Sequence, residues 1–331
     1  MHAPLFRRAF AVPVIAALAA VPAAALAAAG CGGSTTAARH SAGLEKKDLV
    51  VAAVPAEGAA GLYIAQDEGL FARAGLHVTI EATEDTNADI PAMLHGRIDV
   101  LSGQYTTYIA AGATGLARMR ILAAGYALGP HVQEIMTQPG SGIRSATRLK
   151  GATIAVNAVN SVTTDLLYAA LVPYGVTPAQ VRVVAVPFPA MPAALASGRV
   201  TAIYEVEPYV TEAAEHYGDV GVVDVDAGAT QGFPINGFGA LASWVAKYPH
   251  TAAAFIRAIE QGNTIAETDP AVRQRAIAAS LHLPGAVTAV MAAGTYPTVL
   301  EPGQIQRVAD LMLRYGQLRR SFSVTSITGQ G

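Results

Sequence analysis

From Asp48 onward the chain switches repeatedly between two hydrophobic periods. Leu49 to Val54 is an unbroken apolar run of strand length, stopped by Pro55. Ala59 to Ala74 has helical character interrupted at Gly69, and His77-Val78-Thr79-Ile80-Glu81 alternates as a strand does. Ile90 to Leu94 reads as a short helix, whereas Ile98 to Leu101 and Arg120 to Ala124 read as apolar strands. Such alternation predicts parallel sheets covered by helices.

A second series follows Gly129-Pro130. Strands are predicted at Glu134–Thr137, Thr153–Val156, Val181–Val186, Thr201–Val206 and Val220–Val225, with helices at Thr163–Val172, Met191–Ala196 and Tyr209–Tyr217. The remainder is mostly helical. Ala252, Phe255, Ile256 and Ile259 fall at i, i+3, i+4 and i+7, one apolar helix face. Ile305, Val308, Met312 and Tyr315 repeat that spacing, with Pro302 suited to the first turn and Gly316 to the C-cap. No internal repeat is present. One α/β series, a second, then helices predicts two lobes, with the chain returning to the first at its end.

The N-terminus changes the picture. Arg7 and Arg8 precede a long apolar, Ala-rich run from Ala9 to Ala29, which ends Ala28-Ala29-Gly30-Cys31. Basic start, apolar stretch and small-residue cleavage site predict a secretory signal peptide over residues 1–30. Cys31, the only cysteine, is followed by Gly32-Gly33-Ser34 and resembles the lipobox cysteine of bacterial lipoproteins, although Ala28 stands where a bulky aliphatic is usual. The resemblance implies a lipidated Cys31 and an extracytoplasmic protein held to the cell membrane by lipid alone. Residues 31–47 are small and polar without periodicity, so a flexible tether is expected there.

Composition narrows the function. Taking Arg7 and Arg8 from the 22 lysines and arginines leaves 20 against 24 acidic residues, a net charge of −4 with no basic patch for nucleic acid. A single cysteine excludes an internal disulfide and a cysteine-based metal site. Apart from the signal, no apolar run approaches the ~18 residues that a membrane span needs. No metal and no cofactor are expected. His131 and Glu134 stand three apart but lack further ligands, Gly140-Ser141-Gly142 is no phosphate loop, and neither Gly-x-Ser-x-Gly nor His-Glu-x-x-His occurs.

A run of ordered segments then carries a family likeness. Val50 to Val54, followed by Leu62-Tyr63-Ile64-Ala65-Gln66-Asp67-Glu68-Gly69-Leu70-Phe71 and Gly75-Leu76-His77-Val78, resembles the opening of ABC-importer solute-binding proteins. The branch is the one that handles sulfonates, taurine, nitrate and the pyrimidine precursor of thiamine. Met93 to Val100, Ser141 to Val156, Ala193 to Ile203 and Glu207-Pro208-Tyr209 resemble further blocks in the same order, so the likeness spans roughly Asp48 to Pro249. Val206 replaces the tryptophan common before Glu-Pro, and Thr201 replaces an aspartate. The resemblance implies an α/β, two-lobed periplasmic-binding-protein-like fold (type II). Each lobe would be a mixed, mainly parallel sheet flanked by helices, with a two-strand hinge. Residues 48–128 and 239–331 would form lobe 1 and residues 129–238 lobe 2. It also implies a monomer that captures a small-molecule solute and delivers it to an ABC permease with a cytoplasmic ATPase.

Ligands of open α/β sheets sit outside the carboxyl ends of strands. That rule marks Glu57, Gly58 and Ala59 after the first strand, as small residues whose exposed amides suit a polar ligand. It also marks Asp85, and Gln104, Tyr105 and Thr106 after the third strand. In the second lobe Asn160, Ser161 and Thr163 open a helix and are equally ordinary N-cap residues. Glu205 and Glu207 alternate on one strand and are expected to face one side. Phe188 and Phe233 would supply the flat contacts that Val206 does not. Gly129, Pro130, Gly237 and Gly239 lie at the expected lobe crossings as hinge candidates. Carboxylates without nearby lysine or arginine favour a neutral or cationic heterocycle or amine over nitrate or a simple sulfonate. Rival readings are a ligand-sensing or scaffold lipoprotein, and an enzyme similar to the thiamine-pyrimidine synthase. The enzyme is disfavoured because no cysteine follows Cys31.

Overall fold

The computed structural model describes residues 43–329. The signal peptide and Cys31 lie outside the described residues. The first series runs β1 (Asp48–Ala53), α1 (Ala60–Asp67), α2 (Leu70–Arg73), β2 (His77–Ala82), α3 (Ile90–Leu94), β3 (Val100–Gln104), α4 (Tyr105–Thr114) and β4 (Met119–Ala127). The second runs β5 (Gln133–Thr137), β6 (Thr153–Val156), α5 (Val162–Leu171), β7 (Arg182–Ala185), α6 (Met191–Ala196), β8 (Ala202–Val206), α7 (Tyr209–Glu212) and β9 (Val220–Asp224). The chain returns through β10 (Pro234–Leu241) to α8 (Ala242–Lys247), α9 (Pro249–Thr268), α10 (Pro270–Leu281), α11 (Gly285–Val290), α12 (Pro302–Arg314) and α13 (Thr325–Thr328). None of these helices is long and apolar enough to cross a membrane.

Two five-stranded mixed sheets result, ordered β2-β1-β3-β10-β4 and β7-β6-β8-β5-β9. In the first, β1 is parallel to β2 and β3, while β10 is antiparallel to β3 and β4. In the second, β6 is parallel to β7 and β8, while β5 is antiparallel to β8 and β9. The chain crosses between sheets after β4 and again before β10.

Both faces of the first sheet are covered, which is why β1 reads as a continuous apolar run. On one face Leu49, Val51, Val100 and Phe238 meet Phe255 of α9, which stacks on Phe71 at 5.5 Å. Leu101 belongs to the other cluster, with Tyr105 and Tyr108 of α4 and with Ile305, Val308 and Met312 of α12. The apolar stripes read for α9 and α12 are therefore the buried faces.

Three expectations are corrected here. The second lobe was expected to run to residue 238, but β10 begins at Pro234 and belongs to the first sheet. Gly237 and Gly239 are not hinge positions. A Cβ on Gly237 would lie 2.7 Å from the Tyr105 hydroxyl, and one on Gly239 would lie 2.6 Å from the Tyr108 ring. These glycines let the α4 tyrosines lie flat across a central strand. Gly129, at the first crossing, is likewise crowded, since a Cβ there would stand 2.6 Å from the Ala293 carbonyl.

The third correction concerns Glu45 and Lys46, expected to belong to the tether but bonded to the folded first lobe. The Glu45 carboxylate accepts from the amides of His250 (3.1 Å) and Thr251 (2.9 Å), in the first turn of α9. Those amides have no partner inside the helix, and a carboxylate there also complements the helix dipole. Lys46 pairs with buried Asp99, which also accepts from the Val50 amide and the Trp244 indole.

Gly239→Ala should cost about 1–3 kcal/mol in chemical denaturation, as expected for overpacking a rigid neighbour. A variant as stable as the wild type would restore the hinge reading.

Candidate functional site

The carboxyl ends of β1, β2 and β3 face the second sheet across a cleft that opens to solvent. The first lobe contributes the turn after β1, residues 84–87 after β2, and Ser102 and Gln104 at the end of β3. Tyr126 and Asn236 complete its floor. From the second lobe come Val132 and Gln133 at the start of β5, the loop from Asn157 to Thr163, Phe188, Val206 and Glu207. Among these lining residues none is arginine, lysine or histidine.

The cleft brings together nine of the residues singled out from sequence: Glu57, Gly58, Ala59, Asp85, Gln104, Ser161, Thr163, Phe188 and Glu207. Five others do not line it. Tyr105 and Thr106 lie in α4, a helix that was expected to be a loop, and both are buried. Tyr108 on the same helix donates to the carbonyls of Leu101 (2.5 Å) and Gly237 (3.0 Å). Asn160 is exposed at a positive φ of 55°. Phe233 is buried beneath the Arg307 guanidinium at 5.2 Å.

Glu205 is the fifth, and the expectation that it shares a face with Glu207 fails. Glu207 lies beyond the last residue of β8, where strand alternation no longer applies. Glu205 sits inside the strand on the side of Ile203, fully buried, with neither carboxylate oxygen bonded. Burial, reinforced by Glu212 and Asp219, pushes its pKa well above the usual carboxylate range.

Glu57 and Glu207 line the cleft yet are both committed within the protein. Glu57 accepts from the Tyr126 hydroxyl (2.7 Å), the Tyr296 hydroxyl (2.9 Å) and the Gly294 amide (3.1 Å). Burial raises its pKa to about 7 against the lowering effect of those donors. Glu207 accepts from the Thr211 amide and hydroxyl and from the Ala292 amide (3.0 Å). Burial raises its pKa too. One segment, Ala292 to Tyr296, is thus fastened to the first lobe by Glu57 and to the second by Glu207. The carboxylates left for a ligand are Glu84 and Asp85, both exposed at the mouth.

On the second lobe Phe188 stacks on Tyr209 with centroids 5.9 Å apart and planes at 18°. A flat wall is therefore present although Val206 holds the usual tryptophan position. The loop before α5 is knitted together. Thr163 donates to Asn157 Oδ1 (2.6 Å), and Ser161 donates to the Ala158 carbonyl (2.7 Å). Among the described residues the Asn157 side-chain amide nitrogen has no hydrogen-bond partner, and Asn157 lines the cleft.

Sequence reasoning missed Tyr126, Gln133 and Asn236. The available signal for Asn236 was a lone amide inside the apolar strand Pro-Ile-Asn-Gly-Phe-Gly-Ala-Leu, where a buried polar group needs a reason. The glycines beside it drew the reading toward a hinge.

A family model described as the NMT1-like family matches residues 42–281. The chain belongs to the NMT1-like family. No curated protein matches it in sequence. Among solved structures, this NMT1-like chain is similar to the periplasmic aliphatic sulphonate-binding protein SsuA of Escherichia coli, at TM-score 0.70 and 18% identity over 86% of this chain and 92% of that one. It is similar to the periplasmic nitrate-binding protein NrtA of Synechocystis, at TM-score 0.71 and 16% identity over 86% and 85%. The desulfurization enzyme DSZB also shares the fold, at TM-score 0.65 and 16% identity over 86% and 96%. At these identities the likeness establishes the two-lobed periplasmic-binding-protein fold.

Glu57 gives this NMT1-like protein a pH signature. A carboxyl whose pKa rises from 4.5 to about 7 on folding stabilises the protein fully below pH 4.5 and loses that contribution as pH climbs through 7. Its share is at most about 3 kcal/mol. Denaturation at pH 5 and pH 8 should show the wild type losing more stability between the two than Glu57→Gln. Equal losses would mean that Glu57 is ionised throughout.

Proposed function

We propose that this protein is the solute-binding component of an ABC importer, taking a neutral or cationic small organic solute into the interlobe cleft. The carrying observation is the lining of that cleft: amides, hydroxyls and apolar surface, acidic residues at the mouth, and no cationic side chain. Strongly anionic ligands are generally held by arginine or lysine forks. Membership of the NMT1-like family and the fold shared with SsuA and NrtA support the transport role. The cargo departs from the sulfonate and nitrate in those two names because this lining lacks their counter-charge. Cleavage after Gly30 and lipidation of Cys31 would place the protein outside the membrane beside its permease, as a monomer. The solute enters the open cleft and the lobes close on it. The permease then receives the closed form, which requires tighter binding to the closed state than to the open one.

The fold shared with DSZB leaves a catalytic reading to be weighed. The only cysteine is Cys31, so the cleft contains no thiol nucleophile. Its two buried carboxyls, Glu57 and Glu207, each accept three hydrogen bonds from the protein. Binding without chemistry is the better use of this lining.

Three probes that share a benzene ring and differ only in head group test the assignment by thermal shift: benzamidine (cation), benzamide (neutral) and benzenesulfonate (anion). A ligand at 100 times its Kd adds about 2.7 kcal/mol to the folded state. For a chain of this size that is a rise of about 4 °C. Stabilisation by benzamidine or benzamide and not by benzenesulfonate is expected. A rise with benzenesulfonate or nitrate alone would overturn the charge assignment.

A further inference from the structure

The floor of the cleft carries two polar atoms that the protein itself leaves without partners. Ser102, on β3, is 2% exposed and lines the cleft, and its hydroxyl has no hydrogen-bond partner. Asn236, on β10, also lines it, and its Oδ1 is buried and unpartnered. The orientation of the Asn236 amide is set by its other end, since Nδ2 donates to the Gly58 carbonyl at 3.3 Å. Turning the amide over would set oxygen against oxygen, so Oδ1 remains an acceptor.

The backbone around this amide is cut to fit it. A Cβ on Gly125 would stand 2.7 Å from Asn236 Oδ1, and one on Gly58 would stand 3.3 Å from Nδ2. Gln104 pairs directly with Asn236 in the β3–β10 ladder, and Ser102 lies two residues before Gln104. All three side chains therefore project from one face of the ladder, with Ser102 and Asn236 diagonal neighbours about 7 Å apart. Leaving a buried acceptor unpaired costs about 1–3 kcal/mol, and such a group in a cleft is explained when a ligand completes it.

We infer that Ser102 and Asn236 are the specificity-determining floor of the cleft, and that the inner edge of the solute carries hydrogen-bond donors: an amine, an amidine-like N–H pair or an amide N–H. The inference rests on the solute-binding reading above and adds the orientation of the bound molecule. Its donor edge faces β3 and β10, and its flat body faces Phe188 of the opposite lobe. Nitrate and sulfonate oxygens are acceptors only and would meet Asn236 Oδ1 with repulsion.

The test uses the mature wild-type protein, Ser102→Ala and Asn236→Ala, with benzamidine and benzenesulfonate as probes in calorimetric titration. Expected is a loss of benzamidine affinity of about ten-fold or more in Asn236→Ala and a smaller loss in Ser102→Ala. A second readout needs no ligand. Removing an unpartnered hydroxyl leaves the melting temperature of unliganded Ser102→Ala equal to or above that of the wild type, which a structural serine would not do. Benzamidine binding undiminished in both variants overturns the floor and leaves the solute-binding reading standing. Benzenesulfonate bound by the wild type and weakened by Asn236→Ala overturns the donor-edge orientation. If neither probe binds the wild type, a lowered melting temperature of unliganded Ser102→Ala makes the serine structural and overturns the inference, while an equal or higher one supports it.

Discussion

The Glu57 carboxylate holds the first lobe to a segment that belongs to neither sheet. Two tyrosine hydroxyls and the Gly294 amide converge on it, and Thr295 in the same segment bridges Ala127 at the end of β4. Two residues earlier the Ala292 amide reaches Glu207 in the second lobe. Alongside the two chain crossings, the lobes thus share a third connection made of side-chain hydrogen bonds. Each of its carboxylates is buried, so losing one donor would leave a desolvated acceptor, a costlier state than losing a surface bond.

That arrangement separates two roles that a sequence presents as one. Glu57 and Glu207 stand at strand ends in the right positions for ligand groups, and both do border the cleft. Each accepts three hydrogen bonds from the protein itself. What remains on the lining is uncharged amides and hydroxyls, with the Glu84 and Asp85 carboxylates at the mouth. No arginine, lysine or histidine is among the residues that line the cleft.

Much of the architecture was legible because local and global signals agree. The strands β1, β2, β5, β6 and β8 are buried β-branched or alternating runs, and α3 and α6 fall where the pattern placed them. Two elements were not legible, and they explain each other. In β10 the glycines read as a hinge because glycine permits any backbone. In α4 the residues Tyr-Thr-Thr-Tyr read as a strand end suited to a ligand because they directly follow the third strand. Gly237 and Gly239 exist to admit Tyr105 and Tyr108, so neither element can be read without the other. The same blindness hid Asn236, whose value depends on Gly58 and Gly125, far away in sequence. Glu205 and Glu207 mark a further limit: periodicity holds only while the strand does, and it stops at Val206.

The clasp at Glu45 and Lys46 has a mechanical consequence. β1 is six residues long, so the cleft at its carboxyl end lies about 20 Å from the point where Lys46 meets Asp99. Tension on the chain upstream of Glu45 is delivered to the start of α9 and to the Asp99 carboxylate at the far end of the sheet. The load path ends there, at the end of the first sheet opposite the cleft.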